Sequence, residues 1–317
     1  MEIKEIEVKS VMTKSNLPVC DFSVNPYVGC THACKYCYAS FMKRFTNHPE
    51  PWGAFVDVKT WPEINRPGKY AGKEAFLGSV TDPYQPCEAK YGRTRALLEQ
   101  LAGSGIGISI ATKSDLVLRD LDLIKTFPNA RVSWSINTLD EDFKNEMDAA
   151  VSIERRLEAM RQFYEAGVQT TCFISPIFPG ITDVEEIILR AKDICNLVWL
   201  ENLNLRGDYK GRILDWVHQH HPELDGLYRD IYMKNDRTYW SELDSDMRHF
   251  CEPKACPTSA TTTPAAPATA SRPWWSTTSS TKRLSPPPEK NSSGKQGFAA
   301  ESFVCQKFFV PLQPDNK

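Results

Sequence analysis

Short apolar runs alternate with amphipathic segments from about residue 20 to residue 205. The apolar runs have the length and flanking turn residues of strands, and the amphipathic segments have the spacing of helices. The strand candidates are SVNPYVG (23–29), EAFLGSV (74–80), GISIAT (107–112), RVSWSIN (131–137), TTCFISP (170–176) and LVWLENL (197–203). The helix candidates between them cover 36–45, 93–102, 117–126, 153–166 and 182–196. This alternation predicts repeated β-α units.

Helix-end signals support two of these helices. Ser152 precedes one amphipathic run, and Gly167 follows its end. Asp183, with Glu186 three residues later, is the pattern of a capping box for the next helix. We therefore expect α-helices to begin just after these two capping residues.

Six β-α units joined by right-handed crossovers form a parallel sheet that curls into a partial barrel. The predicted fold class is therefore α/β, a partial (β/α)6 TIM-like barrel with a parallel sheet. Reactive groups gather at the carboxyl ends of the strands of such a sheet, because the loops there converge. The long insertion 47–73 adds either a strand or a lid, and the sequence leaves this choice open.

Composition divides the chain into four parts. An N-terminal segment covers 1–19, the core barrel 20–205, a C-terminal helical extension 206–256 and a low-complexity tail 257–317. The tail is rich in Pro, Ser, Thr and Ala, so it has too little apolar surface to offset the entropy of ordering and is predicted to be disordered. Either an out-of-frame ending or a natural or designed linker would explain it.

Composition and charge exclude some classes of protein. A hydrophobic content of 41% and a charged content of 25% are typical of soluble globular proteins. The net charge of −2 gives no overall attraction to nucleic acid, so such a role would need a local basic surface. The chain has no apolar run of membrane-spanning length, and its charged N-terminus lacks the apolar core of a signal peptide. We expect a cytoplasmic protein, whose cysteines remain thiols or metal ligands.

Three of the cysteines, Cys30, Cys34 and Cys37, lie together in the run CTHACKYC. Three thiolates can hold three irons of a cubic [4Fe–4S] cluster and leave the fourth iron open to a small molecule. Zinc sites and electron-carrying clusters normally close with a fourth protein ligand. No fourth Cys or His follows at a matching interval, and His32 is too close to its neighbours in the loop. A zinc knuckle or three unrelated core cysteines is the alternative interpretation.

The CxxxCxxC spacing, with Tyr36 before the last cysteine and NPYVG in front, resembles the radical S-adenosylmethionine (SAM) superfamily. In that family SAM chelates the open iron, and an electron passed through the cluster cleaves SAM to methionine and a 5′-deoxyadenosyl radical. Over roughly 20–205, the segments TDPYQPCE, TKSDLVLRD, SINTLDED and SPIFPGITD resemble the spore photoproduct lyase-like branch. Within that branch the sequence is most similar to the radical SAM mobile pair protein B group. The resemblance implies the same partial barrel.

The resemblance also implies a set of site residues. Cys30, Cys34 and Cys37 match the catalytic cluster ligands. The matching cofactor-binding positions are Tyr36 near the adenine, Thr81 and Asp82 at the amino group, Lys113 at the carboxylate and Ser135 at the sugar or the methionine part. Weaker candidates are Arg155 or Arg156 for the carboxylate and Asn202 and Asn204 for the adenine or the substrate.

One departure from the branch affects the expected reaction. Two residues before the Ser/Thr-Asp pair, the true lyases carry a hydrogen-donating cysteine, and Ser79 takes that place here. A hydroxyl donates a hydrogen atom far less readily than a thiol, which argues against thymine-dimer reversal by that route. Cys87 could substitute for the missing thiol only if its loop folds back.

The sequence therefore predicts a radical SAM enzyme, of lyase or oxidoreductase type, that abstracts hydrogen from an unknown substrate. Analogy with the branch suggests a nucleic acid or a nucleotide. The expected partners are an external flavodoxin- or ferredoxin-like electron donor and a second radical SAM protein encoded nearby. A non-catalytic iron–sulfur electron-transfer or binding protein, or an inactive truncated remnant, is the alternative.

Overall fold

The computed structural model describes residues 1–251 and the backbone of the strand 307–311. The strands in these residues are β1 Glu2–Glu7, β2 Met12–Lys14, β3 Phe22–Val24, β4 Tyr27–Val28, β5 Phe55–Thr60, β6 Glu74–Leu77, β7 Gly107–Thr112, β8 Arg131–Ser135, β9 Gln169–Ile177, β10 Leu197–Asn202 and β11 Lys307–Pro311. The α-helices are α1 Glu88–Tyr91, α2 Arg93–Leu101, α3 Leu121–Ile124, α4 Glu141–Met147, α5 Ile153–Glu165, α6 Val184–Ala191, α7 Tyr209–His220, α8 Asp225–Met233 and α9 Thr238–Cys251. Short 3₁₀ helices cover Tyr38–Phe45, Pro67–Tyr70, Leu116–Asp120 and Pro222–Leu224.

The larger sheet contains the predicted parallel strands. Its order is β11-β10-β9-β8-β7-β6-β3-β2, and every pair from β3 to β10 is parallel. The edge strands β2 and β11 lie antiparallel to their neighbours. The predicted α/β fold, a partial (β/α)6 barrel with a parallel sheet, is confirmed.

Helices cover one face of this sheet. Helix α5 packs on β8 and β9, and the rings of Trp134 and Phe163 lie 5.3 Å apart in an edge-to-face contact. Burial of each large apolar side chain here stabilises the fold by about 1.5–3 kcal/mol. Because side chains alternate along a strand, Ser133 and Ser135 of β8 face the opposite side from Trp134. The face of the sheet opposite α5 is thus partly polar.

The predicted helix caps are present. The Ser152 hydroxyl accepts a hydrogen bond from the N–H of Arg155, and the Asp183 carboxylate accepts one from the N–H of Glu186. Gly167, just after α5, has a φ of +79°, a conformation that favours glycine. These caps fix where α5 and α6 begin, and hence how they meet the sheet.

The insertion 47–73 adds a strand, β5, to a second sheet of order β1-β5-β4. Strand β5 is parallel to β1 and antiparallel to β4. Its side chains Phe55, Val56 and Val58 are fully buried. The N-terminal segment, for which the sequence predicted no strand, supplies β1 and β2.

The first predicted strand, 23–29, is wrong as a single element, because it divides into β3 in the larger sheet and β4 in the smaller one. Pro26 has no N–H to continue the first ladder. The Asn25 side chain donates to the Ser79 hydroxyl at 2.9 Å and accepts from the N–H of Val80 at 3.2 Å. These bonds hold the chain at the point where it changes sheets.

Three predicted helices differ in length or type. The segment 36–45 is a 3₁₀ helix that starts at Tyr38, and 117–126 combines a 3₁₀ turn with α3. The helix expected over 182–196 ends at Ala191, and the Asn196 side chain instead accepts the N–H of Thr170 at 2.8 Å. Helix α4 was not predicted.

The prediction of a disordered tail over 257–317 lies outside the described residues, apart from β11. That strand was not predicted, and its backbone pairs with β10. Helices α7, α8 and α9 occupy the described part of the C-terminal extension. Among the described residues, no helix combines the length and the apolar character that crossing a bilayer requires.

Candidate functional site

The cysteine loop begins directly after β4. Gly29 has a φ of +87°, and a Cβ at this position would lie 2.3 Å from the carbonyl oxygen of Phe55, so only glycine fits. The loop then turns tightly, because the N–H of Cys37 donates to the carbonyl of Cys34 at 3.1 Å. Cys30, Cys34 and Cys37 are thereby carried on one short loop held against β5.

All three thiols are free and partly buried. Burial raises the pKa of Cys30, and the neighbouring Asp82, Cys34 and Cys37 raise it further. Burial also raises the pKa of Cys34, to about 12. For Cys37, burial raises the pKa although the Trp52 side chain donates to its sulfur. Each thiol therefore favours its neutral form until a metal shares the negative charge.

These residues fit a cluster held by three thiolates. The three cysteines lie within eight residues of one tight loop, which keeps their sulfurs near one another. The N–H of His32 points at the sulfur of Cys30, as N–H groups do around iron–sulfur clusters. Within residues 1–251, no three His, Cys, Asp or Glu side chains are arranged to hold a single metal ion. A cubic cluster does not need such a group, because each thiolate binds a different iron.

Thr81 lies against the cysteine loop and helps to fix its backbone. Its hydroxyl donates to the carbonyl of Gly29 at 2.6 Å. Gln85 donates to the same carbonyl at 3.1 Å and accepts from the N–H of Thr31 at 3.0 Å. The segment after β6 thus holds the loop in place, while a contact from Thr81 to the cofactor stays a prediction.

Asp82 connects the cysteine loop to the ends of two strands. Its carboxylate accepts from the N–H of Lys113 at 2.7 Å, the N–H of Tyr84 at 2.8 Å and the hydroxyl of Thr112 at 2.8 Å. It also lies 3.0 Å from Nε2 of His32, whose buried Nδ1 has no partner among the described residues. Burial raises the pKa of Asp82, but His32 and the hydrogen bonds outweigh burial and lower it.

Tyr36, Lys113, Asp148 and Arg156 form what we call the site cluster. Nζ of Lys113 donates to the Tyr36 hydroxyl at 3.0 Å and lies 3.6 Å from Asp148. Tyr36 and Arg156 donate to the two oxygens of Asp148 at 3.0 and 2.9 Å. Burial raises the pKa of Asp148, but Lys113 and Arg156 outweigh burial and lower it to about 2. Lys144 also lies 4.0 Å from this carboxylate, so three cations share one negative charge and positive charge is left for an anionic ligand.

Ser135 and Asn137 lie at the carboxyl end of β8, on the face opposite α5. The carbonyl of Ser135 accepts from Arg156 at 3.1 Å, which joins this strand end to the site cluster. Asn137 is 1% exposed, and neither atom of its side-chain amide has a partner in the part of the chain that the structure describes. At the end of β10, Oδ1 of Asn202 is likewise buried and unpartnered. Buried polar groups without partners are rare, so this edge has the hydrogen-bonding capacity to bind a ligand.

The structure brings most of the predicted residues together but not all of them. Arg155 pairs with Asp115 on the surface at 2.7 Å, outside the site cluster. Asn204 accepts from Arg206 at 3.0 Å. Of the two candidate arginines, Arg156 is the buried one.

Sequence reasoning missed Gln85, Asp148 and Asn137. The alternation of side chains along β8, carried two residues beyond Ser135, would have indicated Asn137. Asp148 had no comparable signal, because it lies in a loop far along the chain from Tyr36.

Comparison with known proteins finds a matching family and several similar chains. The model of the Radical SAM superfamily matches residues 24–191, just over half of the chain. An uncharacterised protein of Methanocaldococcus jannaschii is 36% identical over 225 residues, which are 70% of this chain and 85% of that protein. A radical SAM Nα-GlyT isomerase of Pseudomonas phage M6 is 26% identical over 166 residues, 51% of this chain and 34% of the isomerase. A spore photoproduct lyase variant, solved with SAM and a dinucleoside spore photoproduct, aligns with a TM-score of 0.48 and 15% identity over 70% of this chain and 66% of that chain.

Proposed function

Because this chain belongs to the radical SAM superfamily, whose cofactors are a [4Fe–4S] cluster and SAM, we propose that Cys30, Cys34 and Cys37 ligate three irons of that cluster. When bound, the cluster and SAM supply reductive cleavage of SAM to a 5′-deoxyadenosyl radical, which abstracts a hydrogen atom from the substrate. The observation that carries the proposal is the set of three free thiols on one loop, beside buried polar atoms that lack partners.

The residues around the loop would position SAM. The site cluster has more positive than negative charge, which favours Lys113 as the contact for the SAM carboxylate. Tyr36 would lie near the adenine, as the branch implies. Ser135 and Asn137 would bind the sugar, since the Asn137 amide offers both a donor and an acceptor.

Thr81 and Asp82 remain the proposed contacts for the amino group of SAM. Both lie beside the cysteine loop, and Asp82 carries the negative charge that an ammonium group needs. Asp82 also holds the backbone of Lys113 in place, so it would position SAM at two points.

The reaction is proposed to differ from thiol-assisted dimer reversal. The hydroxyl of Ser79 lies 2.6 Å from that of Ser23, in the place where the lyases carry a thiol. Cys87 packs instead with Tyr27, Val56 and Val58, and burial raises its pKa to about 12. Cys87 therefore belongs to the core of the second sheet and does not replace the missing thiol.

The substrate class that we propose is a nucleic acid or a nucleotide, by analogy with the branch that the motifs resemble. A flavodoxin- or ferredoxin-like donor would supply the electron, and an oxygen-sensitive cluster would favour the cytoplasm. The alternative, a cluster protein that does not cleave SAM, makes a different prediction in the following experiment.

Anaerobic reconstitution with iron and sulfide, followed by dithionite and SAM, should yield 5′-deoxyadenosine, measured by chromatography. Cys34→Ala should abolish this product and the cluster absorbance, because two thiolates cannot hold the site. Cys20→Ala is the matched control, since that thiol lies outside the loop and should leave both readouts unchanged. A reconstituted cluster without 5′-deoxyadenosine would favour the non-catalytic alternative, and a Cys34→Ala protein that still made it would refute the ligand assignment.

A further inference from the structure

The exposed aromatic rings of the described chain all lie in one short element. Tyr38 is 51% exposed, Phe41 39% and Phe45 67%, and every other Phe, Tyr or Trp within residues 1–251 is buried or half-buried. All three belong to the 3₁₀ helix Tyr38–Phe45, which starts at the residue after Cys37. Such a concentration of exposed aromatic surface indicates a binding site.

The helix type arranges these side chains in a row. Residues three apart eclipse one another in a 3₁₀ helix, with a rise of about 6 Å per turn, so Tyr38, Phe41 and Arg44 follow one line. The guanidinium of Arg44 lies 5.4 Å from the centre of the Phe41 ring and 4.8 Å from that of Phe45. We call Tyr38, Phe41, Arg44 and Phe45 the aromatic ridge.

Every charged side chain in the segment 35–45 is positive, and the carboxylate that touches this helix, Asp208, accepts from Ser40 at 3.2 Å. Lys35, Lys43 and Arg44 have no carboxylate within 4.0 Å among the described residues, and Lys43 only donates to the carbonyl of Pro49. The chain as a whole has a net charge of −2, so this is a local concentration of unneutralised positive charge. Cations without carboxylate partners remain available to phosphate groups.

The ridge starts at the edge of the candidate site. The hydroxyl of Tyr38 donates to the carbonyl of Ser79, whose own hydroxyl lies 2.6 Å from that of Ser23. Ser79 follows β6, whose carboxyl end lies beside the cysteine loop. A chain molecule lying on the ridge would therefore reach the site at its Tyr38 end.

We propose that the aromatic ridge binds a single-stranded nucleic acid and leads one of its nucleotides into the site. Aromatic faces that stack on bases, interleaved with cations that contact phosphates, are the combination by which proteins hold single strands without strong sequence preference. Duplex DNA keeps its bases stacked inside, so it cannot use the exposed rings in this way. Binding of the strand to the ridge is independent of the proposed function, and only the reaction of the bound nucleotide rests on it.

A protein partner is the competing occupant, because protein interfaces are also enriched in aromatic residues and arginine. Lys35 and Lys43 favour a nucleic acid, since lysine is depleted from protein interfaces and binds phosphate groups. Here the cation Arg44 lies between two exposed rings, where a stacked base or a phosphate could contact it directly.

The test measures fluorescence anisotropy of labelled single strands, one of DNA and one of RNA with the same sequence, with purified reconstituted protein under anaerobic conditions. Phe41→Ala with Phe45→Ala should weaken binding by about 5- to 150-fold per stacked base, with the salt dependence unchanged. Lys43→Gln with Arg44→Gln should lower the slope of log affinity against log salt by about 1.4, since each lost phosphate contact on a single strand contributes about 0.7. The affinities of the DNA and RNA strands, compared with each other, show whether deoxyribose or ribose is preferred.

Matched controls separate the ridge from general surface effects. Leu189→Ala removes an exposed apolar side chain and Lys125→Gln an exposed cation, and both should leave binding unchanged. The proposal is overturned if neither strand binds, if a duplex of the same sequence binds as tightly, or if the ridge variants bind as well as the controls. It is also overturned if these variants change only the oligomeric state or the rate of reduction by a protein donor. Formation of 5′-deoxyadenosine without substrate, measured in parallel, reports separately on the proposed function.

Discussion

Two groups of largely buried polar side chains, the first with partly exposed arginines, differ in how completely they are hydrogen-bonded. The first, which we call the scaffold cluster, consists of Tyr27, Tyr84, Glu88, Arg95, Arg119 and Asp120. Glu88 accepts from Arg119 at 2.5 Å, from the N–H groups of Thr94 and Arg95 at 2.9 and 3.2 Å, and from Tyr27. Asp120 accepts from Arg95, Arg119 and Tyr84 at 2.7 to 3.1 Å. Every carboxylate oxygen in this cluster has two donors.

The second group, at the carboxyl ends of the strands and in the cysteine loop, is incomplete. Oγ1 of Thr31, Nδ1 of His32, both amide atoms of Asn137 and Oδ1 of Asn202 are buried without partners in the described chain. An unmade hydrogen bond at a buried group costs about 1–3 kcal/mol, so these atoms destabilise the ligand-free fold. The contrast indicates that the scaffold cluster serves the fold, whereas the second group serves a ligand.

The largest effect should come from breaking the scaffold cluster. Glu88→Gln removes the charge that pairs with Arg119, and the free energy of unfolding should fall by about 3 kcal/mol. Glu99→Gln is the control, because its pair with Arg95 is largely exposed and should be worth less than about 1 kcal/mol. Urea unfolding measures both. Equal losses in the two variants would contradict the assignment of the scaffold cluster to stability.

The site cluster should respond to acid. The pKa of Asp148 in the folded protein, about 2, lies below the unfolded value of about 3.9, so its stabilisation is present above about pH 4 and is lost as the pH falls towards 2. The shift corresponds to about 2.5 kcal/mol. Asp148→Asn should therefore be less stable than the parent at neutral pH by about this amount, and the difference should shrink between pH 4 and 2.

Urea unfolding of the metal-free protein over this pH range measures the effect without loss of iron. Asp115→Asn is the control, because its pair with Arg155 is on the surface and should add less than about 1 kcal/mol at any pH. The free energy of unfolding of Asp148→Asn could instead differ from that of the parent by a constant amount down to pH 2. That result would show that Lys113 and Arg156 do not hold the carboxylate ionised.

The same contrast explains how much could be predicted from the sequence. The parallel strands and the cysteine loop follow from local patterns: apolar runs, cap residues such as Ser152, and the spacing of Cys30, Cys34 and Cys37. The pairing of Lys113 with Asp148 does not, because the partners come from distant loops that meet only in the folded chain. The division of the first strand also escaped prediction, since it depends on bonds from Asn25 to residues after another strand.

Removing the unpartnered amide of Asn137 should weaken ligand binding and leave stability nearly unchanged, whereas Glu88→Gln should lower stability. Asn137→Ala gives up no hydrogen bond in the ligand-free protein. It removes two unpartnered atoms but also loses the packing of a buried side chain, so these opposing effects should keep the change in the free energy of unfolding below about 1 kcal/mol. The affinity for SAM should fall about tenfold, as expected for the loss of one hydrogen bond of about 1.4 kcal/mol. Equilibrium dialysis of the reconstituted protein measures this loss. A large loss of stability with unchanged SAM affinity would mean that Asn137 belongs with the scaffold cluster.

The smallest effect sharpens the comparison, because it concerns a buried hydroxyl that lies away from the strand ends. The hydroxyl of Tyr228, in α8, is buried and unpartnered, and burial raises its pKa far above the usual range. Tyr228→Phe removes only this oxygen, so the free energy of unfolding should rise by about 1 kcal/mol while SAM affinity stays the same. Asn137→Ala and Tyr228→Phe thus both remove an unsatisfied buried polar group, the first at the strand ends and the second away from them. If both weakened SAM binding equally, missing hydrogen bonds alone would not identify the binding edge of this protein.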